Sequence, residues 1–99
     1  MKYKTIVQLD AAQDFKEAKL WYKRTKVSGL SQRFTNAVKT TIINLQKYPA
    51  AYAVRYKNVR IAHTGKFPYA IHFFIEGNLI VITAIIYAGR NPKITSGRV

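Results

Sequence analysis

The chain contains no cysteine. That excludes a disulfide framework, a zinc–thiolate site and a cysteine nucleophile, and it agrees with a reducing compartment. No apolar run approaches the roughly 18 residues of a membrane span. The opening Met1-Lys2-Tyr3-Lys4 leads into a strand-like run, not into the apolar centre of a signal peptide, so the expected location is cytoplasmic, with no membrane partner. Acidic residues number only four. Asp10, Asp14 and Glu17 open the first predicted helix and Glu76 sits at a hairpin turn, which leaves no paired carboxylates for acid–base hydrolysis. His63 and His72 are the only histidines and have no carboxylate companion, so no metal and no other cofactor is expected. There is no glycine-rich phosphate loop, because Gly65 and Gly77 read as turn glycines.

What the chain does have is positive charge. Seventeen Lys and Arg against four Asp and Glu give +13 on 99 residues. Such a field attracts polyanions: nucleic acid, a ribonucleoprotein particle or a very acidic protein. The cations are spread along the whole chain, so no basic tail stands out. The length fits a single domain over residues 1–99, and a chain of this size buries roughly two-thirds of its unfolded surface without staples.

The organising stretch is 59–92, with β-rich runs at 59–64, 69–76 and 79–87. The last two are joined by Gly77-Asn78, a two-residue loop in which glycine supplies the positive φ of a primed turn. Both alternations of 79–87 are apolar, which predicts a central strand covered on both sides. In 69–76 one face carries Tyr69, Ile71, Phe73 and Ile75, the other Ala70, His72, Phe74 and Glu76. In 59–64 the alternation sets Val59, Ile61 and His63 on one face, and whether His63 approaches His72 depends on a register left open at this point.

Before the meander, 4–9 is a short β-like run. Asp10 offers an N-cap with Gln13 three residues on, as in a capping box, and a helix is predicted over 11–26 with Ala11, Phe15, Ala18 and Tyr22 at helical spacing. Ser28 can cap a second helix over 30–48, whose apolar stripe is Leu30, Phe34, Ala37, Val38, Thr41, Leu45 and Tyr48, with Pro49 ending it. Residues 50–58 read as a connector or an irregular strand lead-in. The predicted order is β-α-α-β-β-β: an α+β domain with an N-terminal helical hairpin packed on an antiparallel sheet.

One chemistry needs neither carboxylate nor metal. An RNA 2′-hydroxyl can attack its neighbouring phosphate if a protein holds the geometry, neutralises charge and moves protons. Arg55, Lys57, Arg60, His63, Lys66, His72, Tyr87 and Arg90, on the meander and its edges, are residues of the required types.

The second helix R-F-T-N-A-V-K-T-T-I-I-N-L-Q-K-Y-P, the strand opening K-F-P-Y-A-I-H-F-F-I and the ending A-G-R-N-P together resemble the RelE/ParE superfamily of toxins from bacterial type II toxin–antitoxin pairs. The resemblance covers essentially the whole chain and implies a cytoplasmic toxin neutralised by a cognate acidic antitoxin. RelE-like members enter the ribosome and cut mRNA by the 2′-hydroxyl route, whereas ParE-like members bind and poison DNA gyrase. F-P-Y and R-N-P look more like the ParE side, often labelled plasmid stabilisation proteins. Nucleases of the superfamily usually carry an arginine after the aromatic that opens the middle strand, where this chain has Ala70, and a tyrosine or histidine near the C-terminus, where 93–99 has neither. Arg60 lies where such enzymes place catalytic lysines, and Arg90 matches the basic residue after the last strand. The expectation is therefore a ParE-like gyrase-binding toxin, with target- or nucleic-acid-binding residues Arg55, Lys57, Arg60, Lys66, Arg90 and Lys93. The alternatives are a RelE-like nuclease using Arg60, His63, Lys66, His72 and Arg90, and a non-toxic nucleic-acid-binding domain.

Overall fold

The computed structural model describes residues 3–90, 93 and 95–99. Strand β1 (Lys4–Val7) is followed by helices α1 (Leu9–Arg24) and α2 (Leu30–Lys47), then by strands β2 (Val54–Tyr56), β3 (Val59–His63), β4 (Tyr69–Glu76) and β5 (Leu79–Tyr87). The five strands form one sheet in the order β1-β5-β4-β3-β2. The meander is antiparallel throughout, but β1 pairs with β5 in parallel, with Lys4 opposite Leu79 and Val7 opposite Ile82. The sheet is thus mixed, because the helical hairpin and the outer strands supply the long crossover that a parallel pair requires. The connector expected at 50–58 resolves into a single 3₁₀ turn, Pro49–Ala51, and the edge strand β2.

Both helix starts differ from the expected caps. The amide of Gln8 donates to the Ile82 carbonyl at 3.0 Å, extending the β1–β5 ladder by one residue. Gln8 is therefore extended (φ −66°, ψ 156°), and α1 begins directly after it at Leu9, with Asp10 already in the first turn and no side-chain cap bond. Tertiary pairing has overridden the local capping signal at Asp10 and Gln13. At α2 the cap is Gly29 and not Ser28; its left-handed φ of 76° is cheap for glycine. The helix stops at Lys47, and Tyr48 before Pro49 takes φ −141°, ψ 66°.

The helical hairpin covers one face of the sheet through the expected stripes. Ala11, Ala18 and Tyr22 of α1 and Phe34, Val38 and Leu45 of α2 are buried against Ile71, Phe73, Ile80, Ile82 and Ile85. Phe34 stands at the centre of an aromatic cluster, with ring centroids 4.9 Å from Tyr22, 5.1 Å from Tyr69 and 5.4 Å from Phe67. Tyr48 departs from the predicted stripe: it follows the last helical turn and is exposed, while Ile42 packs against the core.

The Gly77-Asn78 hairpin has the expected form, with Glu76 paired to Leu79 and Gly77 at φ 60°. The double apolar alternation of β5 has a cause that periodicity alone does not reveal. The β4–β5 register shifts between His72 and Phe73, so that Ala84 and Ile82 become their respective partners and Thr83 is passed over. Across this bulge β5 changes phase: Ile85 and Tyr87 on one side, and Ile80 and Ile82 on the other, share the face of the helices. The opposite face is covered too, since His72, Ala84 and Ile86 are also buried.

Candidate functional site

The register of β3 against β4 settles the position of the histidines. Ile61 pairs with His72 and His63 with Ala70, so Ile61, His63, Ala70 and His72 share the face away from the helices. Arg55 from β2, Ile61 and His63 from β3, His72 from β4, and Ala88 and Arg90 from the turn after β5 line a cleft of about 300 Å³ on that face. Of the predicted site residues, the fold brings Arg55, His63, His72 and Arg90 together here.

His72 forms the buried part of this group. Its Nδ1 lies 2.8 Å from the Tyr56 hydroxyl, which is also 3.1 Å from Thr95 Oγ1. Burial depresses its pKa to about 4, helped by the positive charge of Arg98 and by His63 and opposed by Asp14. His72 is therefore neutral at physiological pH, with one ring nitrogen committed to Tyr56. Neither Tyr56 nor Thr95 stood out in the sequence, since a tyrosine on an edge strand carries no periodic signal of its own.

The other predicted residues are placed elsewhere. Arg60 pairs with Phe73 on the helix-covered face, and its guanidinium donates to the backbone carbonyls of Ala50, at 3.2 Å, and Tyr52. It stabilises the Pro49–Ala51 turn and does not join the histidines. Lys57 donates to the Ser96 carbonyl at 2.7 Å, so its ammonium holds the C-terminal segment. Lys66 lies in the β3–β4 turn and lines a second cavity of about 470 Å³ with Arg33 and His63, which borders both cavities. Lys93 is exposed, and its carbonyl accepts from the Ser96 hydroxyl at 3.3 Å. Asn91 and Pro92, part of the A-G-R-N-P ending, lie outside the described residues. Among the described residues no group of three His, Asp or Glu forms a metal cluster, and no helix is long and apolar enough to cross a membrane.

A second feature was not anticipated. Beyond Ile82 the outer edge of β5 has no strand partner from β1. Asp14 accepts the Ile85 amide at 3.2 Å, and Arg98 donates to the Thr83 carbonyl at 3.0 Å and to Asp14 at 2.6 Å. Asp14 is thus a sheet-edge partner and not merely a first-turn acid. Next to this edge, Trp21, Tyr22, Pro68, Tyr69 and Tyr87 line an aromatic groove of about 270 Å³, with Trp21 58% and Tyr87 55% exposed.

The helical hairpin thus covers one face of the mixed sheet and a basic cleft opens on the other. A solved structure described as "Chromosomal ParDE TA system from P. aeruginosa" superposes with a TM-score of 0.75 over 87% of this chain and 96% of that chain, at 18% sequence identity. None of the curated proteins compared with the chain matches it. The family profile of the ParE toxin of type II toxin–antitoxin systems, parDE, matches residues 6–92. The chain belongs to the ParE toxin family.

Proposed function

We propose that the chain acts as a cytoplasmic toxin by binding DNA gyrase, and that a cognate acidic antitoxin neutralises it. Membership of the ParE toxin family carries this reading. Two features of the site support binding over catalysis. The neutral His72 has its Nδ1 engaged by Tyr56, and Arg60, at the position resembling a catalytic lysine, is spent on the carbonyls of Ala50 and Tyr52. An acidic amphipathic antitoxin segment suits a +13 surface with an exposed aromatic groove at Trp21 and Tyr87.

The test is a supercoiling and cleavage-complex assay on purified gyrase, beside pulse-labelling of DNA and protein synthesis after controlled expression. Inhibition of gyrase at stoichiometric toxin, with translation continuing in the first minutes, is the expected result. Inert behaviour toward gyrase at every ratio, with early collapse of translation, sinks it. That outcome favours the second reading, a ribosome-dependent mRNA endonuclease, for which the observation is the convergence of Arg55, His63 and Arg90 on one cleft.

A further inference from the structure

We propose that the open edge of β1 pairs with the same edge of a second copy of this chain, joining the two five-stranded sheets into one. The inference stands apart from the gyrase reading, because it concerns how the isolated chain associates with itself.

β1 ends the strand order, so its outer row of backbone groups has no strand beside it. On the β5 side the amides of Lys4 and Gln8 donate to the carbonyls of Asn78 and Ile82, at 2.9 and 3.0 Å. Backbone groups alternate in direction along a strand, so those of Thr5 and Val7 point outward. Around this edge Ile6 is 46%, Val7 44% and Leu9 81% exposed. Ile43 of α2, one turn before the Gln46 that bonds Thr5, is exposed as well. The opposite edge of the sheet is blunted: β2 has three residues, its pairing with β3 is irregular, and Arg55 is exposed at its centre. β1 pairs regularly, and past Lys4 it carries no charge before Asp10. Of the two edges it is therefore the one suited to accept a strand.

Self-complementarity names the occupant. About a two-fold axis through Ile6, Thr5 of each copy faces Val7 of the other, and each such pair exchanges two backbone hydrogen bonds. Ile6 then meets Ile6 of the second copy at the axis, the position where facing side chains come closest. The same symmetry sets the Lys4 end of each strand against the Gln8–Asp10 end of the other, so opposite charges face each other on both sides of the axis. A parallel pair would set Lys4 beside Lys4. The overall charge of +13 on each copy opposes association, and salt screens that repulsion.

The experiment is sedimentation equilibrium with amide hydrogen exchange on the full chain, across a range of protein concentrations at low and at high salt. A reversible monomer–dimer equilibrium that tightens as salt rises is expected, with the Thr5 and Val7 amides better protected at high concentration. Ile6→Lys sets two ammonium groups at the axis. Val7→Pro removes an outward amide without touching the β1–β5 ladder. Each should weaken dimerisation by about tenfold or more, while Val54→Lys, on the β2 edge, should leave it unchanged. A monomer at every concentration and salt overturns the proposal. So does a dimer whose Thr5 and Val7 amides exchange as fast as in the monomer, or one that Val54→Lys weakens as much as Ile6→Lys. Protection of Thr5 and Val7 only on addition of poly-L-glutamate, and lost with salt, assigns the edge to an acidic chain and likewise overturns it. The concentration series on the unsubstituted chain decides the matter even if Val7→Pro does not fold.

Discussion

Arg98 and Asp14, 84 residues apart in the chain, lie 2.6 Å apart and together occupy the edge of β5 that β1 leaves open. Arg98 satisfies the Thr83 carbonyl and Asp14 the Ile85 amide, so the pair takes over part of the work of a neighbouring strand. The Arg98 pKa is raised above its ordinary value, first by this hydrogen bond to Asp14.

Removing one member of this pair should cost more than its exposure suggests. Asp14→Ala takes the close carboxylate partner from a largely buried guanidinium and leaves the Ile85 amide without its acceptor, an expected loss of about 2 kcal/mol. A double-mutant cycle with Arg98→Ala, read by urea unfolding, should give a coupling of about 1 kcal/mol or more. Additive single losses would show that the two residues act independently.

Phe34 ties both helices to the sheet through aromatic contacts. It is fully buried and contacts the rings of Phe15, Tyr22, Phe67 and Tyr69. Phe34→Ala should destabilise by about 3–5 kcal/mol and Phe34→Leu by clearly less, measured by chemical denaturation.

His72 makes stability depend on pH. Its folded pKa of about 4 lies below the ordinary value of 6.5. Between these values the unfolded chain binds a proton that the folded chain refuses, so stability falls as pH falls through this window and is fully retained above it. The contribution lost between pH 7.5 and pH 4.5 is on the order of 2 kcal/mol. His72→Gln should flatten the urea midpoint profile over that range relative to the unsubstituted chain; identical slopes for the two would refute the assignment.

The Arg60 guanidinium donates to the carbonyls of Ala50 and Tyr52, which gives it a structural role. Arg60→Met should lower stability by about 1 kcal/mol through the lost bonds to the Ala50 and Tyr52 carbonyls. Growth arrest on controlled expression should persist at permissive temperature. Abolished arrest with an unchanged melting curve would return Arg60 to the functional set.

The structure shows where reading the residues in order succeeds. The bounds of β4 and β5 were legible because a two-residue Gly77-Asn78 loop sets their register locally. Helices α1 and α2 announced themselves through three-four stripes that bury Tyr22 and Phe34, and the charge of +13 needed only counting. The cap at Gln8 was not legible, because it depends on a ladder bond to Ile82, 74 positions away in the numbering. The phase change at Thr83 likewise depends on how β4 and β5 align, since an alternation of period two reverses with a slip of one residue. The same rule placed His63 and His72 on one face and turned Arg60 to the other.

The residues by themselves determined the elements, the greasy face of each and the sign of the field around them, because these follow from local periodicity and composition. Only the tertiary structure decided which cations remain available. Lys57 and Arg98 are consumed by acceptors distant in sequence and Arg60 by carbonyls in the turn before β2, while Arg55 and Arg90 line the cleft on the histidine face. A charge acts through what lies within a few ångströms of it, and those neighbours are chosen by strand register and chain crossover.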